Sequence, residues 1–268
     1  MGGYTLEVDG MTPVRVCILR IEGTNCEQET YDAFRELGAE PELVHLKELT
    51  PQTLFDYQCL MIPGGFSSGD YVRAGAIFAA RIKSTLFSAL KEYVENGYPV
   101  GGICNGFQIL VELGLLPTLS PYPQACLATN DSARFECRPT LLKLEHHCAF
   151  TQKMDIGGVY EIPSAHAEGK FVSPLIQDLM DNGQVIFRYV DEEGKYAGYP
   201  WNPNGSQYNI AGISNEAGNV FGLMPHPERA FFRYQNQDWT RGTVGDTNGM
   251  CAHGRLVFES VLEYARKI

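Results

Sequence analysis

The sequence predicts an α/β protein in three layers, a mostly parallel central sheet with helices on both faces. Three observations carry the prediction. Runs such as "VRVCILRI" and "YQCLMI" are apolar almost throughout, the pattern of strands buried on both faces. Between them lie segments whose apolar residues recur at helical spacing. Strands that alternate with helices pair in parallel, because each helix carries the chain back across the sheet.

The elements follow in order. "VRVCILRI" (14–21) is the first strand, and "NCEQETYDAFRELGA" is a helix stopped by Gly38. "ELVHL" is a second short strand. "YQCLMIPGG" is a third, ending in a Pro-Gly-Gly turn. "IFAARIKSTLFSALKEYVENG" (77–97) reads as one long helix closed by Gly97, and "PVGGIC" as the fourth strand. "NGFQILVELG" is an apolar-faced helix closed by Gly114. From about Leu119 to Tyr199 the character changes. Short alternating runs, "TLLKLEHH", "GVYEIPS" and "VIFRYV", suggest antiparallel strands continuing or flanking the first sheet. "YNIAGISN" and "GNVFGLMPHPE" form a hairpin-like pair, and "GRLVFESVLEYARKI" is an amphipathic final helix. With no internal repeat or clear linker, residues 1–268 are expected to form a single domain.

The 268 residues are 44% hydrophobic and 20% charged, which suits a sizeable core. A net charge of −11 and a pI near 5.0 argue against a nucleic-acid surface. Small molecules or another protein are the expected partners. No apolar run approaches the roughly 20 residues that span a bilayer, and "MGGYTLEVDG" lacks a signal-peptide pattern. A cytoplasmic location without membrane contact is expected. The eight cysteines, Cys17, Cys26, Cys59, Cys104, Cys126, Cys137, Cys148 and Cys251, form no CxxC pair. Buried reduced thiols are the expectation, with neither disulfides nor zinc.

Gly102-Ile103-Cys104-Asn105-Gly106 has the G-x-nucleophile-x-G spacing of a nucleophile elbow. A side chain raised at a sharp strand-to-helix turn needs small neighbours two residues away. The helix N-terminus beyond it favours a thiolate and a developing oxyanion. A structural cysteine beside a tight turn would show the same pentapeptide. A reactive thiol also needs a base and an orienter. Of six histidines, His45 sits at a strand end, His146 and His147 alternate in a strand, and His253 lies in a polar loop. His226, in "MPHPER", precedes a proline that pushes it towards extended geometry. In an extended chain Glu228 points to the same side and reaches its ring. After the third strand, "MIPGGFSSGD" leaves backbone N–H groups free. Those of Gly65 and Asn105 could together form an oxyanion hole. The Gly64–Gly65 peptide is expected to be free to flip until a partner holds it. A phosphate-cradling loop or a plain turn are the alternatives, although no Gly-Lys-Ser/Thr follows.

"PGG" after a strand, "GICNGFQIL" and "MPHPE" occur in an order and spacing that resemble class I (triad-type) glutamine amidotransferases. Within them, "LRIEGTNCEQET", "GGFSSGDYVRAGA", "SAHAEGKF", "NPNGS", "IAGI" and "GLMPHPERA" resemble one branch. Its members are glutaminase subunits serving an ATP-dependent synthetase of purine biosynthesis, which makes formylglycinamidine ribonucleotide from formylglycinamide ribonucleotide. Sister enzymes carry leucine after the nucleophile and His or Met before the glutamine, where this chain has Asn105 and Phe107. The similarity covers roughly Val14 to Ala230 plus the final helix. It leaves Met1 to Pro13 as an extension and 231–254 as an insertion, neither expected to touch the triad.

The resemblance implies the flavodoxin-like fold of that family. It implies Cys104 as nucleophile, His226 as base, Glu228 as orienter, and Gly65 and Asn105 as oxyanion donors. Gln108, His166 and Glu168 match substrate-contacting positions, the last two in a loop. It also implies glutamine as substrate, no cofactor or metal on this chain, and ATP with magnesium on the synthetase subunit. Some complexes include a small accessory subunit. Two rival readings are a stand-alone γ-glutamyl hydrolase or peptidase and a non-enzymatic chaperone-like protein of similar fold.

Overall fold

The computed structural model describes residues 13–237, 239–241 and 252–268. Most of the expected extension, and residues 238 and 242–251 of the expected insertion, lie outside them. The first apolar run becomes β1 (Arg15–Arg20), buried through its four central residues. Helix α1 (Glu27–Glu36) buries Ala33 and Phe34, and Gly38 then turns the chain with φ +76°, a conformation that favours glycine. β2 (Glu40–His45) and β3 (Cys59–Ile62) pair in parallel with β1, one on each edge.

The single helix expected over 77–97 is two, α2 (Ala76–Thr85) and α3 (Phe87–Glu95). The hydroxyls of Ser84 and Thr85 both donate to the Arg81 carbonyl, at 2.8 and 3.0 Å. Such back-bonding competes with the helical ladder and bends it. Leu86, at the joint, leaves helical geometry (φ −124°, ψ −8°) and buries its side chain. β4 (Val100–Ile103) lies parallel beside β3 and leads into α4 (Asn105–Leu113).

The chain continues through β5 (Cys126–Thr129), β6 (Glu136–Arg138), β7 (Leu141–Leu144), β8 (Val159–Glu161), β9 (Ser164–His166) and β10 (Glu168–Val172). After α5 (Ile176–Asp181) come β11 (Val185–Val190), the hairpin of β12 (Ile210–Ser214) and β13 (Val220–Leu223), and α6 (Arg255–Ala265). The main sheet runs β2-β1-β3-β4-β13-β12-β11-β7-β8. The first five of these strands are parallel, and the other four continue the sheet with antiparallel neighbours. The alternating runs of the middle segment therefore do extend the first sheet. Two short ribbons, β5 with β10 and β6 with β9, pair outside it. β7 ends at Leu144, so His146 and His147 lie beyond the strand in which they were expected.

Helices α2 and α4 contact each other, with α4 over β3, β4 and β13; α1 and α6 contact each other over β1, β2 and β3. Phe34 of α1 meets Phe258 of α6 edge to face at 5.1 Å. Phe107 of α4 fills the space that a side chain at Gly222 of β13 would need. Among the described residues no helix is long and apolar enough to cross a membrane. Because β3, β4 and β13 are parallel neighbours, their C-terminal ends share one edge, where ligands of open α/β sheets bind. Gly64, Cys104 and His226 follow those three ends.

Candidate active site

Cys104 stands between β4 and α4 with φ +51° and ψ −107°, a conformation that a non-glycine residue adopts only under strain. Its N–H donates to the Leu223 carbonyl at 2.8 Å, extending the β4–β13 pairing into the turn. The flanking glycines are steric necessities. A Cβ at Gly102 would lie 2.6 Å from the Gly106 backbone, and one at Gly106 would overlap the Ile62 carbonyl oxygen. Gly106→Ala is therefore expected to destabilise the fold by about 1–3 kcal/mol, the usual range for overpacking. Gly198→Ala, where a Cβ meets nothing within 4 Å, is expected to be nearly neutral. Urea denaturation of the two variants checks both.

His226 is extended (φ −104°, ψ 92°), and its N–H donates to the Pro163 carbonyl at 2.8 Å. Its Nδ1 lies 2.6 Å from Glu228 Oε1, with both side chains buried. The expected extended path does not continue beyond it. Pro227–Ala230 is a 3₁₀ turn, and it is this turn that brings the carboxylate back to the ring. Burial opposes a charge on His226, but Glu228, and after it the Cys104 thiol, raise its pKa well above the ordinary value. The Cys104 thiol donates to the Ala165 carbonyl at 3.7 Å. His226 Nε2 is buried without a hydrogen-bond partner among the described residues.

The Gly64–Gly65 peptide, expected to be free to flip, is hydrogen-bonded at its carbonyl. The Gly64 carbonyl accepts from the N–H groups of Asn25 and Cys26, at 3.3 and 3.2 Å. In a planar trans peptide this turns the Gly65 N–H the opposite way. A Cβ at Gly65 would sit 2.7 Å from the Asn25 nitrogen, and one at Gly64 would press on the His226 ring at 2.8 Å. Asn105 opens α4, where a backbone N–H has no acceptor within the helix. Its buried side chain accepts from Ser67 N–H at 3.2 Å and donates to Gln108 Oε1 at 2.9 Å. Gln108 in turn donates to the Glu168 carbonyl at 2.5 Å, so both ends of its amide hold the wall together.

Cys104, His226, Gly65, Gln108, His166 and Glu168 all line one pocket. Glu228 stands behind His226. His166 and Glu168 lie not in a loop but on β9 and β10, which meet at Ala167. Both ring nitrogens of His166 are buried and unpartnered among the described residues. Burial, and then His226, lower its pKa to about 4. The pocket also includes Cys26, Asp70 and Arg229, which residue-by-residue reading assigned no role. Their signal stood in "GTNCE", "SSGD" and "HPER". Cys26 Sγ lies 3.9 Å from His226 Nδ1 and accepts from Arg229 at 3.2 Å. Burial raises its pKa despite the imidazole beside it.

Two expectations need correction. The seven described cysteines are free, but Cys126 and Cys137 are exposed, because short ribbons leave one face in solvent; Cys251 lies outside the described residues. The insertion does touch the expected triad, at Glu228. Gln235 accepts from the N–H groups of Phe231 and Phe232, at 2.9 and 2.7 Å, and donates to the Glu228 carbonyl at 3.1 Å. It thereby supports the turn that aims the carboxylate.

Residues 13–265 match the CobB/CobQ-like glutamine amidotransferase domain. The chain belongs to this family. Among glutamine amidotransferases, it is similar to phosphoribosylformylglycinamidine synthase subunit PurQ of Archaeoglobus fulgidus, 53% identical over 95% of this chain and 98% of that one. The subunit PurQ of Picrophilus torridus is 46% identical, over 84% of this chain and 90% of its own. A chain in the structure of PurLQS from Thermotoga maritima superposes with a TM-score of 0.73 at 36% identity, covering 94% of this chain and 99% of that one. These relatives thus match 84–95% of the amidotransferase chain.

Proposed function

We propose that this chain is the glutaminase subunit of a phosphoribosylformylglycinamidine synthase, releasing ammonia from glutamine for an ATP-dependent synthetase subunit in purine biosynthesis. The observation that carries the reading is the meeting of Cys104 with the buried His226–Glu228 pair at one pocket. The near full-length PurQ relatives support it. We assign residues 1–268 to one amidotransferase domain in the cytoplasm. ATP and magnesium belong to the synthetase, and some complexes of this kind add a small accessory subunit.

In this reading Cys104 attacks the side-chain amide carbon of glutamine as a thiolate. The N-terminus of α4 and the His226 imidazolium favour that charge. The tetrahedral oxyanion accepts from the N–H groups of Gly65 and Asn105. His226 gives its proton to the departing amine, and ammonia leaves a γ-glutamyl thioester. His226 then takes a proton from water, whose attack passes through a second oxyanion and releases glutamate and the thiol. Glu228 keeps the ring oriented and balances its charge. Gln108, His166 and Glu168 form the substrate wall.

The chain alone is expected to hydrolyse glutamine slowly. Its Cys104 thiol lies 3.7 Å from the Ala165 carbonyl, and the imidazole nitrogen that must take its proton, His226 Nε2, has no partner in hydrogen-bond geometry among the described residues. Because the Gly64 carbonyl is pinned, the switch lies in this thiol–imidazole alignment and not in a peptide flip. Aligned general-base help is worth about 100- to 10,000-fold, so the synthetase with its ligands is expected to raise the rate at least to the lower end of that range. Steady-state glutamate release with and without the synthetase tests this. Equal rates would favour a stand-alone γ-glutamyl hydrolase.

A further inference from the structure

Glutamine hydrolysis at Cys104 leaves a second buried nucleophile of the pocket unused. Cys26, the residue before α1, is 2% exposed and lines the same pocket as Cys104. The other described cysteines do not line it. The backbone fixes the place of Cys26. Its N–H donates to the Gly64 carbonyl at 3.2 Å, and its carbonyl accepts from the Thr30 hydroxyl at 2.8 Å. Its sulfur accepts from the Arg229 guanidinium at 3.2 Å.

Both cysteines border one small gap over Gly64. A Cβ at that glycine would meet Cys26 Sγ at 3.2 Å and Cys104 Cβ at 3.3 Å, with His226 Cε1 at 2.8 Å. Because residue 64 has no side chain, nothing from it stands between Cys26 and Cys104. The contact of Cys104 Sγ with the Ala165 carbonyl, at 3.7 Å, is long enough to leave that sulfur free to rotate about its Cα–Cβ bond. Burial raises the Cys26 pKa, so this thiol is slow towards oxidants in solution. Arg229 nevertheless favours the negative charge that gathers on its sulfur when it attacks a neighbour.

Resting on the reading of Cys104 as nucleophile, we propose that Cys26 is a resolving thiol, which closes a reversible disulfide with Cys104 once a peroxide has oxidised it. In the first step the Cys104 sulfur attacks one oxygen of hydrogen peroxide. A sulfur–oxygen bond forms, the oxygen–oxygen bond breaks, and the departing hydroxide takes the Cys104 proton, by way of His226, to become water. In the second step the Cys26 sulfur attacks the Cys104 sulfur. The sulfur–sulfur bond forms, the sulfur–oxygen bond breaks, and the hydroxide leaves with the Cys26 proton as a second water. Two thiols are oxidised to one disulfide, and one peroxide is reduced to two waters. The nucleophile is silenced in this way and kept from the sulfinic and sulfonic acids, which thiol reductants do not reverse.

The test exposes the full chain, first reduced, to a small excess of hydrogen peroxide, then digests it without reductant and maps the peptides by mass. The expected product is a pair of peptides joined through Cys26 and Cys104, from a single chain that has lost two hydrogens. Glutamate release by the treated chain with the synthetase is expected to fall to background and to return to the untreated level with dithiothreitol. Cys26→Ser, compared with its own untreated rate, is expected to form no such pair, to carry sulfinic acid on Cys104 and to regain little activity. Sulfenic or sulfinic acid on Cys104 of the wild-type chain without the link would overturn the inference. So would a link from Cys104 to another cysteine or to a second chain, or full recovery of Cys26→Ser. If that variant does not fold, the wild-type map decides alone. The map needs no turnover, so a chain that forms the link but releases no glutamate before treatment overturns the glutaminase reading and leaves the disulfide standing.

Discussion

Cys104→Ala is expected to reduce glutamate release to background while the synthetase, mixed with the variant, still uses added ammonia. Removing the nucleophile of an acyl-transfer triad costs on the order of a million-fold, because base and orienter have nothing left to act on. The substitution removes a thiol that is buried and contacts Ala165, so the fold and the docking surface should survive. A glutamine-shaped electrophile sharpens the test, since it should label Cys104 before any other cysteine. The other seven are informative controls. Cys126 and Cys137 are exposed, but neither lines the pocket of Cys104 and His226. Cys26 shares the pocket, yet burial holds its thiol protonated. Peptide mapping that places the label mainly on Cys26 would transfer the nucleophile's role to it.

The second large effect separates base from orienter. His226→Ala is expected to lose nearly as much as Cys104→Ala, because triad members act as a unit. Glu228→Gln should lose less, about ten-thousand-fold by analogy with other triads, since it keeps the shape behind the ring and loses only the charge. A titration distinguishes the two roles further. Burial pushes His226 down and Glu228 is the main group raising it. Glu228→Gln should therefore make the imidazole lose its proton at lower pH than in the wild type. Glutamate release measures the rates, and the imidazole resonances followed against pH measure the shift. An unmoved His226 titration, or near-wild-type turnover in His226→Ala, would remove these residues from their roles.

Much of the fold was legible because its signals are local. An unbroken apolar run such as Val16–Leu19 marks a strand covered on both faces, and the glycines at 38 and 114 mark helix ends whether or not the rest of the protein is present. The break between α2 and α3 was not legible. Ser84 and Thr85 occupy ordinary helical positions, and their competition for one carbonyl becomes decisive only when Leu86 has a core to turn into. The ribbons β5–β10 and β6–β9 were missed for a similar reason. They are three to five residues long, and each strand is defined by a partner distant in the chain.

The sequence by itself determined the chemistry of this site: a thiol between small residues at a strand-to-helix turn, and a histidine two residues before a carboxylate. Those relations are short-range, so steric rules and side-chain type suffice to read them. Only the tertiary structure decided which peptide is held and which groups share the pocket. The Gly64 carbonyl accepts from Asn25 and Cys26, Gln235 steadies the turn carrying Glu228, and Asp70 and Glu168 join Cys104 in lining one pocket. Each of these contacts joins segments that are remote in sequence, or depends on a turn direction that no short pattern specifies. Parallel pairing sets the ends of β3, β4 and β13 side by side, and it is this register, a property of the assembled sheet, that turns separate motifs into one pocket.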